Sequence, residues 1–463
     1  MLMELRIDRQ ALVPVVQQIV DALTCWLHSS GVSPGTRLPS VRQIARINLL
    51  SQSSVTQACE RLVTQGMLAA GHGAGYTVAD PALVANASHE PAWFEGVEPE
   101  YGPWSGELRL GCGGLPESWR ETDDLIYAIR QVSRTDTASL FNYSTPLGLP
   151  ALRQQILKRL RQLDIQVQDN RIMTTAGASQ GLDLIVRALF KAGDCVVVES
   201  PGYPLLFDLL RLQGIHMVEV PRTPRGPDVD VLESVLAKHR PQGLLINSFF
   251  HNPTGSSLSL GVARRVLQLA RAFGVQVIED DVYADLRSGC GTRLAALDDS
   301  VVYVGSYSKT LSSSLRVGFV VADCTVITRL AEVKMISGMG ASRFCEAVMA
   351  CLLANGAYGK LVQRQRQRLN NDRLAVLQML EDAEWEVFGK PAGGLFIWAR
   401  SRMSDYDQVL AQARRLGMVL SSKTAFNASG GASDWQRINV AYACDPRARA
   451  FFQATARDRP QAF

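Results

Sequence analysis

From Leu108 onward, strand-sized apolar runs alternate with helical patterns, and this alternation confines most of the chain to a mostly parallel sheet wrapped by helices. Cys195-Val-Val-Val-Glu199 and the stretches 243–250, 275–279, 301–305 and 317–321 read as buried strands. Helical patterns at 182–190 and 262–273 lie between them. In an open sheet of this kind, ligands bind outside the carboxyl ends of the strands. Those ends are therefore where chemistry is to be sought.

With 463 residues, the chain is long enough for more than one folding unit. Composition divides it at 1–80, 81–107 and 108–463. The middle stretch holds Pro81, Pro91, Pro99 and Pro103, five glutamates and no Lys or Arg. It reads as a partly extended acidic linker that a phosphate backbone would repel. Nine cysteines with no C-x-x-C pair fit reduced thiols rather than a disulfide framework or a zinc site, so no metal is expected. The opening residues include Glu4, Arg6, Asp8 and Arg9, and the apolar runs fall short of a membrane span. A cytoplasmic protein without a membrane partner is expected.

The first 80 residues carry a different pattern. Val15, Ile19, Ala22, Leu23, Trp26 and Leu27 recur at helical spacing. A turn over 32–36 follows, then a short helix from Val41 to about Ile47, with Ser40 placed to cap it. Ser51 can cap a third helix, with Val55, Ala58, Cys59 and Leu62 on one face and Gly66 as its stop. Strands at 67–70 and 76–78 flank a glycine-rich tip, Gly71-His-Gly-Ala-Gly75. This is the pattern of a winged helix-turn-helix, whose second helix enters the major groove of double-stranded DNA. Ser51, Gln52, Ser53, Ser54, Thr56 and Gln57 offer polar groups for base edges and phosphates. The net charge is only +4. Between Arg37 and Thr64, however, Arg37, Arg42, Arg46 and Arg61 face one acid, Glu60. The positive charge is placed for phosphate contact.

Through Pro34-Gly-Thr-Arg-Leu-Pro-Ser-Val-Arg42 and 51–68, this segment resembles the GntR family of bacterial repressors. The resemblance implies DNA contacts from Arg37, Arg42, Ser51, Gln52, Ser53, Ser54 and Thr56, and from His72 in the wing. Gln52 departs from the Arg often found at its place.

The densest chemical signal is Ser306-Tyr-Ser-Lys-Thr-Leu-Ser-Ser-Ser-Leu-Arg-Val-Gly318. A lysine just beyond a buried strand can be desolvated, which favours the neutral amine that forms a Schiff base. Arg316 adds a forked donor for a phosphate, and Ser306 a hydroxyl. Four further segments appear in order. Thr174-Thr-Ala-Gly-Ala-Ser-Gln-Gly181 is a glycine turn opening an apolar helix, which makes Ser179 and Gln180 phosphate candidates. Ser200-Pro-Gly-Tyr-Pro204 places Tyr203 where it can cover a planar ring. His251-Asn-Pro-Thr-Gly255 offers Asn252 as a donor, and Glu279-Asp-Asp-Val-Tyr283 offers a carboxylate for a pyridine nitrogen.

Over nearly all of 108–463, this set resembles the fold-type-I aminotransferases of class I, an α/β fold that carries pyridoxal 5'-phosphate. The resemblance implies Lys309 as the Schiff-base lysine and Asp280 as the pyridine partner. It implies Tyr283 and Asn252 at the phenolic oxygen, Tyr203 over the ring, and Ser179, Gln180, Ser306 and Arg316 at the phosphate. Tyr143 would reach the phosphate of a neighbouring subunit, which implies a head-to-tail homodimer. Arg437 would grip the carboxylate of a bound amino compound.

A winged helix followed by an aminotransferase-like domain is similar to the MocR subfamily of GntR regulators. The resemblance implies a regulator that binds DNA and senses an amino compound, or pyridoxal phosphate itself, rather than a protein that is mainly an enzyme. Two rivals stay open: a working aminotransferase with an accessory first domain, and a DNA-binding protein that has lost its cofactor.

Overall fold

The computed structural model describes residues 5, 7, 14–29, 32–64, 66–71, 75–79, 107–119, 121–287, 291–403 and 405–456. The chain forms two compact units, Met1–Val97 and Glu98–Phe463.

In the first unit, α1 (Val15–Ser29), α2 (Val41–Ile47) and α3 (Gln52–Thr64) precede a hairpin of β1 (Leu68–Gly71) and β2 (Gly75–Val78). The expected caps are in place. Ser40 Oγ accepts the amide of Gln43 at 3.2 Å, and Ser51 Oγ accepts that of Ser54 at 3.0 Å. Gly66 ends α3 with φ 72°, a left-handed conformation that glycine adopts at little cost. Val55, Ala58, Cys59 and Leu62 are fully buried and pack with Ile19, Leu23 and Ile44. The hairpin pairs antiparallel from Leu68↔Val78 to Gly71↔Gly75. It begins at Leu68 rather than at the expected Met67. His72, and the linker up to residue 106, lie outside the described residues.

The strands of the second unit, in chain order, are β3 (Leu108–Arg109), β4 (Ile172–Thr175), β5 (Cys195–Ser200), β6 (His216–Thr223), β7 (Gly226–Pro227), β8 (Gly243–Asn247), β9 (Gln276–Asp280), β10 (Val302–Ser306), β11 (Gly318–Val321), β12 (Glu386–Val387), β13 (Phe396–Arg400), β14 (Met418–Val419) and β15 (Gln436–Asn439). Eight of them form one sheet in the order β4-β11-β10-β9-β8-β5-β6-β7. The central pairs β10–β9, β9–β8, β8–β5 and β5–β6 are parallel. Both faces of this sheet are covered, as its all-apolar strands require. Val196, Val198, Leu245 and Ile278 pack in one core with Leu184 and Ile185 of the helix Gly177–Leu189. Val197, Leu244, Ile246 and Val277 pack in the other with Val266 and Leu267 of the helix Leu260–Phe273. Side chains alternate between the faces at a period of two.

β11 runs antiparallel to both β10 and β4. Its start therefore lies at the same edge as the carboxyl ends of its neighbours, which brings Arg316 to the edge that Lys309 occupies. A second sheet, β12-β13-β15, carries Arg437, and β14 pairs parallel with β3.

Next to the central strands, Asp281 and Arg293 form an ion pair at 2.6 Å with both side chains fully buried. Removing one partner would strand the other charge in the interior. Arg293→Met is expected to lower the unfolding free energy of this unit by about 3–5 kcal/mol in urea titrations. A loss below about 1 kcal/mol, the worth of an exposed pair, would contradict that reading.

Candidate functional site

The strand ends open onto a cleft of about 460 Å³. Of the residues named from the sequence, Lys309, Asp280, Tyr283, Asn252, Tyr203, Ser179, Ser306 and Arg316 all line it. Separate segments spanning more than a hundred residues thus meet at one cavity. They do so because each follows a strand end, or in the case of Arg316 precedes the start of the antiparallel strand.

Of the consecutive carboxylates Glu279, Asp280 and Asp281, Asp280 alone faces the cleft. Strand alternation turns its neighbours away. Glu279 accepts the amides of Leu294 at 2.9 Å and Ala295 at 2.7 Å and the hydroxyl of Ser248. Asp281 accepts from Arg293 and from the Tyr303 hydroxyl at 3.0 Å. Burial pushes the Asp280 carboxyl up to about 7. Asp281 and Glu199 push the same way, while the Val282 amide and the positive Lys309 oppose them. An acid held back from ionising in this way gains most from a cationic partner, such as a protonated ring nitrogen.

Lys309 follows β10, and its Nζ donates to the Gly113 carbonyl at 3.0 Å. Tyr283 is 2% exposed and stands edge-on to Phe396, with ring centroids 5.7 Å apart. At the opposite end of the cleft, the helix Gly177–Leu189 presents its first turn, with Ala178 and Ser179 on the wall. Arg316 takes a left-handed φ of 51° and donates to the Ala176 carbonyl at 3.1 Å. A Cβ on Gly177 would come within 2.5 Å of Arg316 Nη2, so glycine is what lets the guanidinium lie over the helix start. Amides at a helix start, a guanidinium and hydroxyls make an anion cradle.

Three expected residues are not among those that line the cleft. Gln180 turns back, and its Oε1 accepts the Ala176 amide at 2.6 Å, so it braces the helix start instead of lining the cavity. Tyr143 is 75% exposed and does not line its own chain's cleft. Arg437 lies just behind the cavity wall and is 2% exposed. Its Nη1 donates to Asn252 Oδ1 at 2.9 Å, and its Nε and Nη2 donate to the Gly111 carbonyl at 2.9 and 2.6 Å.

Three contributors were not singled out from the sequence. Ser308 lines the cleft, and its Oγ is buried without a hydrogen-bond partner among the described residues. The Ser-x-Ser-Lys spacing could have drawn attention to it. Asn247 also lines the cleft, one strand from Asp280. The segment 111–114 supplies carbonyls to Lys309, Arg437 and Asn439; nothing local in its sequence announces that. The orphaned Ser308 hydroxyl and the Gly177 cradle both suit a phosphate-bearing group, and Asp280 at the other end suits its basic ring.

In the first unit, Arg37, Arg42, Ser51, Gln52 and Ser53 are exposed, and Ser54 and Thr56 are half-buried. Part of this hydrogen-bonding capacity is used within the helix. Ser51 Oγ caps it and lies 2.9 and 2.7 Å from the Ser53 and Ser54 hydroxyls, and Thr56 Oγ1 donates to the Gln52 carbonyl at 2.9 Å. Among the described residues, no group of acids, histidines and cysteines could hold a metal ion, and no helix is long and apolar enough to cross a membrane.

If burial holds Asp280 back, the native chain keeps a proton that the unfolded chain releases, and stability falls as pH rises from about 4 to 7. Asp280→Asn removes this contribution. Cofactor-free Asp280→Asn is expected to melt progressively higher than wild type as pH climbs through that window. Parallel melting profiles would contradict the assignment.

Comparison with known proteins agrees with this geometry. Residues 106–449 match the family "Aminotransferase class I and II", and residues 15–78 match "Bacterial regulatory proteins, gntR family". The HTH-type transcriptional regulator YisV of Bacillus subtilis is 28% identical over 415 residues, covering 84% of this chain and 85% of that protein. The 2-aminoadipate transaminase of Thermus thermophilus is 29% identical over 342 residues, covering 71% and 84%. The crystal structure of a Pyrococcus horikoshii kynurenine aminotransferase, complexed with PMP, superposes with a TM-score of 0.71 at 26% identity, covering 76% of this chain and 90% of that one. The chain belongs to the class I and II aminotransferase family and joins that fold to a GntR helix-turn-helix, the layout of the MocR-type transcription regulators.

Proposed function

We propose that the chain is a pyridoxal-phosphate-dependent transcription regulator, in which the winged helix binds double-stranded DNA and the cleft of the second unit senses an amino compound or pyridoxal phosphate itself. The observation that carries this reading is that eight residues of the expected cofactor set converge on one cleft, in a chain that also holds a GntR unit. When bound, pyridoxal phosphate would supply an aldehyde that combines with amines and a ring that withdraws electrons.

Lys309 would hold the cofactor through Nζ, leaving the Gly113 carbonyl it now contacts. Asp280 would keep the ring nitrogen protonated, while Asn252 and Tyr283 would donate to the phenolic oxygen and Tyr203 would cover the ring. Ser179, Ser306, Ser308 and Arg316 would bind the phosphate. Arg437 would receive the effector's carboxylate in place of the Gly111 carbonyl. A ligand shifts a regulator only by binding one of its states more tightly than another. Release of the carbonyls of Gly111 and Gly113 is a difference in contacts that ligand entry would create.

A homodimer is part of the proposal. Ile126, Tyr127, Leu140, Phe141 and Tyr143 are large apolar or aromatic side chains left exposed close together in sequence, from 42% for Ile126 to 85% for Phe141. Such a cluster suits a second copy of the chain, and it would carry Tyr143 to the neighbour's phosphate.

A second reading, a working aminotransferase, is favoured by one observation: Lys309, Asp280 and Arg437 are all present. Purified protein given pyridoxal phosphate is expected to show a visible absorption band that Lys309→Ala abolishes. On DNA from its own upstream region, Arg42→Ala is expected to weaken binding and to reduce the salt dependence by about one phosphate contact. Absence of DNA binding together with rapid steady turnover of amino acids would replace the regulator with the enzyme.

A further inference from the structure

Four strand ends that neighbour one another in the sheet carry a continuous line of polar contacts. In the order β9-β8-β5-β6, they contribute Asp280, Asn247, Glu199 and Arg222. Glu199 and Arg222 are paired at 2.5 Å, with side chains 4% and 0% exposed. Asn247 lies between this pair and the cleft, and each of its polar groups is engaged. Its backbone amide donates to Glu199 Oε2 at 2.8 Å, and its carbonyl accepts from Arg222 Nη1 at 2.9 Å. Its side chain reaches the other way. Nδ2 donates to the Asp280 carbonyl at 2.7 Å, and Oδ1 accepts the backbone amide of Asn252 at 2.8 Å.

We propose that Asn247 is a positioning residue that sets Asp280 and Asn252 in a single geometry, anchored on the buried Glu199–Arg222 pair. This rests on the cofactor reading above. Asp280 ends β9, Asn252 lies on the loop that follows β8, and the two would address different atoms of one ring, so their spacing must match the ring to within a fraction of a hydrogen-bond length. A primary amide has both a donor and an acceptor to span that gap, and a buried pair fixes the backbone from which it projects. The line also continues: Asn252 Oδ1 accepts from Arg437, so the same amide indirectly sets the residue that would hold a carboxylate.

The two anchoring contacts are made by the backbone of Asn247 and survive substitution, so a variant isolates the two side-chain arms. Asn247→Asp keeps the acceptor for Asn252 and loses the donor to Asp280. Asn247→Ser shortens both arms without burying a charge, and serves where the aspartate variant does not fold. The full chain is titrated with pyridoxal phosphate, and the visible band is followed against pH.

Loss of one hydrogen bond to the Asp280 backbone carbonyl is expected to raise the Kd for pyridoxal phosphate about tenfold. The pH midpoint of the band is expected to rise by about half a unit or more, because a ring that Asp280 holds less firmly charged withdraws less electron density. A variant that binds pyridoxal phosphate as wild type does, with an unmoved midpoint, overturns the proposal. So does one that merely melts earlier, since a structural role alone leaves the midpoint in place. Wild-type protein without any visible band would overturn the cofactor reading itself.

Discussion

An acidic side chain at the end of a central strand, whose ionisation its own burial makes costly, is the constraint on which the second unit is built. Asp280 stands where the sheet exposes it to the cleft and to little else. Its burial raises the cost of ionisation, and the nearby charges of Asp281 and Glu199 add to it. Such a group is a liability unless something cationic docks against it. The rest of the cleft reads as the means of docking that partner: an anion cradle at one end, an amine between, and an aromatic side chain to cover a flat ring.

The fold achieves the convergence through strand direction. Parallel strands deliver loops to one edge, and the reversal at β11 delivers Arg316 to that edge too. Face alternation then sorts three consecutive carboxylates into one for the cleft and two for the interior, where Glu279 meets a helix start and Asp281 meets Arg293. The segment 111–114 closes the site from the other side. Its carbonyls hold both the amine of Lys309 and the guanidinium of Arg437, so the groups that would meet cofactor and effector are restrained by one short stretch of backbone.

The legible part of this arrangement was local. Helix caps at Ser40 and Ser51, the stop at Gly66 and the apolar face of α3 are all set by neighbours within four residues, and short-range rules find them. Lys309 and Arg316 lie seven residues apart on one turn, so their spacing survives in the sequence. Asn247 did not announce itself, because its role comes from contacts with residues 33 and 48 positions away. From the sequence, Gln180 reads as a phosphate ligand because a polar side chain at a helix start suits an anion. The same position lets it fold back on the Ala176 amide, and that intramolecular bond won. The strand expected over 243–250 ends at Asn247, where Ser248 and the following residues leave the ladder to form the loop that carries Asn252.

The most direct measurement is chemical mapping. The protein is incubated with pyridoxal phosphate, reduced with borohydride to make the linkage permanent, digested, and read by mass spectrometry. The account predicts modification concentrated on Lys309 at stoichiometric cofactor. Labelling spread over exposed lysines, with Lys309 unmodified, would contradict it.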